Sequence, residues 1–400
     1  MKLTLQFGYG MIAHSTSLVN DWAGGSVVLS PRDLTEAQLE RTGARIVVEG
    51  GEVLVDPQCY LRQADHARLT NHAYFQRYQG NATGALVGGA ATADFLSSVV
   101  DLNDACSATR FIVPGLLGER IDRDWAALQA ALLEEAAAQQ PERVRYATIA
   151  IGSDALRDDN QVIDCVDFAE DWDVDGFYVV PETPGMYLVE DPVWMANLLT
   201  LCAGLKLLGK RVLLGYSSHQ MLAAACANVD EIASGTWLNV RAFSPEKFLT
   251  PDEGTVARRA TWYYCPQAMS EYKLPFLDIA LRQGVLPSMR PSAPMSDRYC
   301  AGLFAGAQPT ATGWSEQYAF RHYLTSLHTQ AAQLGGHGTF DATLAAYRAQ
   351  LAQAGAEVNR LRSRGVLASQ RSFEACLDAN ETALAILESN YGARFRTDWT

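Results

Sequence analysis

Short apolar, β-rich runs alternate with longer stretches in which apolar residues recur at helical spacing. The runs fall at residues 3–7, 27–29, 52–55, 110–113, 146–151, 176–180, 211–214 and 231–234. Near-continuous apolar runs of this length suit parallel strands covered on both faces. Between them, residues 124–140 are rich in Ala, Leu and Glu, with Asp122 or Asp124 as the expected N-cap. Residues 192–209 open on Pro and close on Gly, the usual asymmetry of helix ends. Residues 221–227 form a short apolar stretch. Eight alternations predict an α/β chain, a (β/α)8 TIM barrel over residues 1–245, rather than an open doubly wound sheet.

The pattern changes after Phe243. Residues 250–254 predict a turn, and the Pro- and Ser-rich residues 286–294 a loop. Residues 316–334, 340–364 and 369–388 predict helices. Residues 246–400 are therefore expected to be a mainly helical C-terminal extension, a cap on the barrel or a subunit interface. A homo-oligomer and a protein partner both stay open.

Composition narrows the classes. No run of eighteen apolar residues exists, so no membrane span is expected. The first eight residues are too short and strand-like for a signal peptide, which predicts a cytoplasmic protein. Eight cysteines are spread singly with no C-x-x-C pair, so neither a disulfide framework nor a metal site is expected. A zinc ion on Cys265, Cys300 and His322 has no support from their spacing. The net charge of −13 argues against tight nucleic-acid binding. Arg258, Arg259, Arg282, Arg290 and Arg298 read as solvated surface. Neither a P-loop, a dinucleotide fingerprint, G-x-S-x-G nor H-E-x-x-H occurs, and no cofactor is expected.

Chemistry in such barrels sits at the C-terminal strand ends. Those ends place Tyr9, Asp56, Gln58, Glu182, Tyr216, His219, Trp237 and Arg241 around one mouth. Asp33, Thr183 and Ser217 also read as helix caps, Asp154 as a loop residue or cap, and His219 as a surface or cap histidine. Arg241 either balances the acids or clamps an anion. An acid directly after a buried strand points into the mouth, which singles out Asp56 and Glu182. Carboxylates that accept N–H donors, beside rings such as Tyr9, Tyr178, Tyr216 and Trp237, suit a planar heterocycle. A guanine-like base presents an N1–H and an amine that one carboxylate accepts together.

Three segments resemble the tRNA-guanine transglycosylase superfamily. Residues 51–58, G-E-V-L-V-D-P-Q, are similar to that family's strand ending in T-D-S-G-G, which places its base-facing aspartate on Asp56. Residues 211–216, R-V-L-L-G-Y, are similar to its R-Y-L-M-G-V run. Val229-Asp230-Glu231-Ile232 resembles its V-D-M-F, and Asn239-Val240-Arg241 lies near its T-R pair. The departures are as specific. Ala233, followed by Ser234, stands where the family has its nucleophilic aspartate. Val113-Pro114 replaces its second base-reading aspartate, and its C-x-C-x-x-C zinc module is absent. The resemblance thus implies a barrel that binds a 7-deazaguanine-type nucleobase, free or on a partner, without transglycosylase activity. It also implies a setting in DNA modification or anti-phage defence. The competing expectation is an active enzyme, a transglycosylase or a hydrolase of glycosidic or amide bonds, using Asp56 and Glu182. A third is a vestigial barrel whose helices after residue 315 bind a partner.

Overall fold

The computed structural model describes residues 1–80, 88–250 and 260–399. Arg258 and Arg259 and most of the expected 250–254 turn lie outside them. Among the described residues, nine parallel strands make the central sheet: β1 (Lys2–Gln6), β2 (Ser26–Leu29), β3 (Glu52–Val55), β4 (Arg110–Val113), β5 (Leu117–Gly118), β6 (Val144–Ile151), β7 (Gly176–Pro181), β8 (Arg211–Leu214) and β9 (Glu231–Ser234). Their order is β3-β2-β1-β9-β8-β7-β6-β4, with the two-residue β5 continuing the β4 edge along β6. The end strands β3 and β4 close on each other through Thr109 N–H, which donates to Val53 O at 3.0 Å. The result is a nearly closed eight-stranded parallel barrel, consistent with a TIM-like fold.

The barrel interior is polar at both ends. At the N-terminal end, Glu231 accepts from Thr4 and forms an ion pair with Arg110, whose guanidinium lies over the Tyr146 ring. Such networks at the closed end of a barrel serve stability. The C-terminal end carries Gln6, Asp56 and Tyr178, described below.

Helix ends follow local chemistry. Asp122 caps Arg123–Gln139 by accepting from the backbone of Asp124 and Trp125. Asp191 does the same for Pro192–Leu207, with Pro192 in its first turn. Thr35 and Gln38 form a capping box on Glu36–Val48, so Asp33 is not the cap there. Ser218, not Ser217 or His219, caps the 3-10 stretch His219–Ala227. Asp154 lies in the first turn of Ser153–Leu156 and pairs with Arg157.

The extension is welded to the barrel. Helix Glu316–Gly335 packs along β1, between Ile12–Asp21 and His219–Ala227. That is the place of a barrel's eighth helix, filled after a long insertion that follows β9. Helices Phe340–Arg362 and Leu377–Asp398 pack on each other and on Pro192–Leu207 and His219–Ala227. The reason is legible in Pro192–Leu207, which is apolar all round and buries both faces, one on the barrel and one under this outer layer. One hydrophobic core runs from the barrel strands to Tyr323, Phe340 and Leu384. A second, smaller core gathers around an antiparallel hairpin, β10 (Trp262–Cys265) and β11 (Ser270–Lys273), which the helical reading of the extension missed. The expected loop at 286–294 contains a single 3-10 turn, Leu286–Met289. The expected helix at 369–388 begins as two 3-10 turns and becomes α-helical from Leu377. Arg282, Arg290 and Arg298 are exposed, the last two paired with Asp297 and Asp21.

Among the described residues no helix is long and apolar enough to cross a membrane.

Candidate functional site

Asp56 ends β3 and is 1% exposed. Three tyrosine hydroxyls surround its carboxylate: Tyr60 at 2.8–2.9 Å from both oxygens, Tyr216 at 3.0 Å and Tyr178 at 3.2 Å from Oδ2. The Gln58 backbone N–H donates to Oδ1 at 3.0 Å. Gly215 permits this arrangement, because a Cβ there would come within 2.7 Å of the Tyr178 ring. No cation contacts Asp56 among the described residues. Burial pushes its carboxyl up from 3.8 to about 6, against the downward pull of Tyr60, Gln58, Tyr216 and Tyr178.

Two residues that hold Asp56 have left-handed backbones, Gln58 at φ +55° and Tyr216 at φ +49°. For a bulky aromatic this conformation costs free energy, and it persists only where the surroundings impose it. Gln58 is fixed on every side. Its Nε2 donates to Ser30 Oγ and Tyr216 Oη, and its Oε1 accepts from Arg32 N–H. Ser30 donates onward to Asp33. Gln6 accepts from Tyr178, while its buried Nε2 has no hydrogen-bond partner.

A strap closes the cage. Residues 242–250 cross the barrel mouth, and Phe243 and Phe248 lie on it edge to face. Phe243 meets Tyr60 at 4.9 Å and Tyr216 at 5.3 Å, and Phe248 meets Tyr60 at 5.4 Å. Backbone hydrogen bonds anchor the strap at both sides, Thr183 N–H to Phe243 O and His66 N–H to Phe248 O. Arg32 Nε holds its middle, donating to Lys247 O at 2.6 Å.

The strap separates two clefts. One, of about 510 Å³, is lined by Tyr9, Arg32, Asp33, His66, Arg68 and Asn239 among others. The other, of about 440 Å³, is acidic, with Glu119, Asp154 and Glu182. A narrow cavity of about 10 Å³ touches Arg32, Asn239, Lys247, Gln58 and Tyr216, so it lies between the first cleft and the cage.

The residues expected to share one mouth are thus divided. Asp56, Gln58, Tyr216 and Tyr178 meet in the cage. Tyr9, 63% exposed, lines the first cleft, and its carbonyl accepts from Trp237 Nε1. Glu182 lines the acidic cleft, where its carboxylate accepts from Ser153 N–H at 2.8 Å. Arg241 does not balance the barrel acids. It is buried beside Glu271, with its guanidinium 3.4 Å from the Tyr323 ring centroid. His219 is neither surface nor cap but fully buried, ringed by Tyr187, Tyr264, Tyr323 and Phe373. Burial lowers its imidazole to about 4. Sequence reasoning placed Arg32 on the rim after the second strand without giving it a role, and it missed Tyr60 and the strap. Tyr60 follows Asp56 by four residues in a loop, and no periodicity marks it.

Ala233 and Ser234 are buried in β9. Cys265, Cys300 and His322 bond to backbone carbonyls, His322 to Ser296 O and Tyr264 O. Among the described residues no group of three or more His, Cys, Asp or Glu is placed to hold a metal ion.

No protein-family model, curated protein or solved structure matches the chain, so the resemblance to tRNA-guanine transglycosylases rests on the segments quoted for it alone.

Proposed function

We infer that this barrel binds a small planar heterocycle of the 7-deazaguanine type through Asp56, in a state with the strap lifted. The observation that carries this reading is the buried Asp56 carboxylate, hydrogen-bonded only by neutral donors and held between two left-handed residues under two phenylalanine rings. A base with adjacent N–H donors replaces hydroxyl donors on the same two oxygens, and its faces meet Tyr216, Tyr60 and Phe243. Strained, desolvated carboxyls concentrate at functional sites.

Binding without transglycosylation is the form supported by β9. Ala233 offers a methyl group where a nucleophile is needed, and the buried Ser234 hydroxyl has no hydrogen-bonded base among the described residues. The paired-acid enzyme draws less support, since Glu182 faces the acidic cleft and Asp56 lies beneath the strap. The resemblance alone supports a place in DNA modification or anti-phage defence and a protein partner.

Calorimetric titration with 7-cyano-7-deazaguanine tests the reading. Wild type should release heat on binding, and Asp56→Asn should weaken the affinity at least tenfold, the loss of one charge-assisted hydrogen-bond pair. Absence of heat with folded wild type, or equal affinity in Asp56→Asn, refutes it.

A further inference from the structure

We propose that the cleft beside the strap is a subsite for a phosphomonoester, and that the ligand of Asp56 is therefore a mononucleotide rather than a free base. This rests on the Asp56 reading for the base half of the ligand, while the anion half stands on its own residues.

Two cations, Arg32 and Arg68, line that cleft, and a third, Lys247, stands beside Arg32 at the narrow cavity behind it. Arg32 follows β2, Arg68 sits in the short helix Ala67–Thr70 after β3, and Lys247 belongs to the strap. Among the described residues, the acids that act on this cluster are Asp33, Asp65 and Glu246, none of them in a close ion pair with Arg68 or Lys247. Asp33 lies 3.7 Å from Arg32, and neither Arg68 nor Lys247 is in a salt bridge among the described residues. Arg68 Nη1 donates to Asp33 O, and Lys247 Nζ donates to Ala242 O, both backbone carbonyls. Like charges held together in a half-buried cleft repel, and a bound anion turns that repulsion into attraction. Arg32 acts on two neighbouring groups, with burial the larger cause at each and nearby acids opposing it. Burial and then Arg32 push the Lys247 ammonium down to about 8, and burial and then Arg32 also lower the His66 imidazole. Neutral polar residues complete the wall, Tyr9, Asn71 and Asn239 among them.

The cleft also has the right size. Its volume of about 510 Å³ holds a sugar phosphate, and a cavity of about 10 Å³, no larger than one water, separates it from Gln58 and Tyr216, so the base half reaches Asp56 only with the strap lifted. Arg32 ties the two halves together. Its Nε holds the strap at Lys247 O, and its backbone N–H holds Gln58 Oε1. An anion that draws the Arg32 guanidinium toward the cleft loosens the strap over Asp56. The acidic cleft across the strap and the net charge of −13 oppose a continuous nucleic-acid track, which favours a small phosphorylated molecule.

Calorimetry with inorganic phosphate, guanosine and guanosine 5′-monophosphate tests this in wild type, Arg68→Gln and Lys247→Met. The monophosphate should bind wild type roughly tenfold or more tightly than guanosine, as expected for hydrogen bonds to a charged group. Either substitution should remove most of that advantage, with guanosine in the same variant as the reference. Phosphate alone should bind wild type and be lost in Arg68→Gln. Equal affinity for nucleotide and nucleoside, an advantage that survives both substitutions, or binding of an oligonucleotide alone overturns the proposal. Failure of 7-cyano-7-deazaguanine to bind while phosphate binds through Arg68 sinks the Asp56 reading and upholds the anion subsite.

Discussion

Gln58 Nε2 lies 3.2 Å from Tyr216 Oη, and both residues hold left-handed backbones while donating to the same carboxylate, that of Asp56. The two come from strand ends 158 positions apart in sequence. Each fixes the other, so the conformational cost at one is supported by the hydrogen bond from the other.

Removing the Tyr216 hydroxyl should therefore be felt at Asp56. Tyr216→Phe takes away a donor that stabilises the ionised carboxylate, so the Asp56 carboxyl should titrate above its wild-type value of about 6. A carbon-detected NMR titration of the Asp56 carboxyl reads this directly. Stability should fall by about 1–2 kcal/mol. An unchanged or lower titration midpoint contradicts the assignment.

Asp56 should also impose a pH dependence on folding. Its folded-state value of about 6 lies above 3.8, so between those values the folded chain holds more of this proton than the unfolded chain. The stability it contributes is present below pH 4 and declines as pH rises to about 6. At about 1.4 kcal/mol per pH unit the loss is roughly 3 kcal/mol. Urea melts of wild type and Asp56→Asn between pH 4 and 7 should diverge in that sense, wild type losing ground to the variant as pH rises.

Glu271 should behave in the opposite sense. Burial favours its neutral form, yet Arg241 and Arg371 outweigh this and hold it at about 2. Its contribution is present above pH 4.5 and is lost as pH falls toward 2. Glu271→Gln leaves two arginines without their shared carboxylate and should cost about 3–5 kcal/mol at neutral pH in chemical denaturation. A loss below 1 kcal/mol would show that the pair is not closed in solution.

The strap makes a separate prediction. Phe243 is buried against Tyr60 and Tyr216, so Phe243→Ala should cost about 3–5 kcal/mol. The opened roof admits water and should bring the Asp56 carboxyl down toward its ordinary range, measured by the same NMR titration. Stability loss without that downward movement would mean that the phenyl ring does not shield the carboxylate.

Truncation after residue 314 should not leave a folded barrel. Helix Glu316–Gly335 fills the eighth helical position against β1, and the helices beyond it cover Pro192–Leu207. The shortened chain should lose cooperative thermal unfolding and aggregate. A soluble product with a sharp transition would instead restore the view of a detachable partner-binding segment.

All eight barrel strands, the cap Asp122, the Pro-led start of Pro192–Leu207 and the position of Asp56 directly after a buried strand were legible in the sequence, because strand burial and capping are local and leave short-range patterns. The apolar circumference of Pro192–Leu207 likewise signals a second covering layer. The hairpin Trp262–Lys273 was not legible as strand, since its four-residue arms are too short to establish a period. Nor does the order of residues reveal which rim residues meet. Tyr9, Glu182 and Arg241 all follow strands, yet the strap at 242–250 and the buried Glu271 send them to separate places, while Trp237 stays beside Tyr9. Chain-local preferences fix where a strand ends and a helix starts. The partners of a side chain beyond that end depend on loops arriving from distant segments, and only the packed structure brings Tyr60, Tyr178, Tyr216 and Phe243 around one carboxylate.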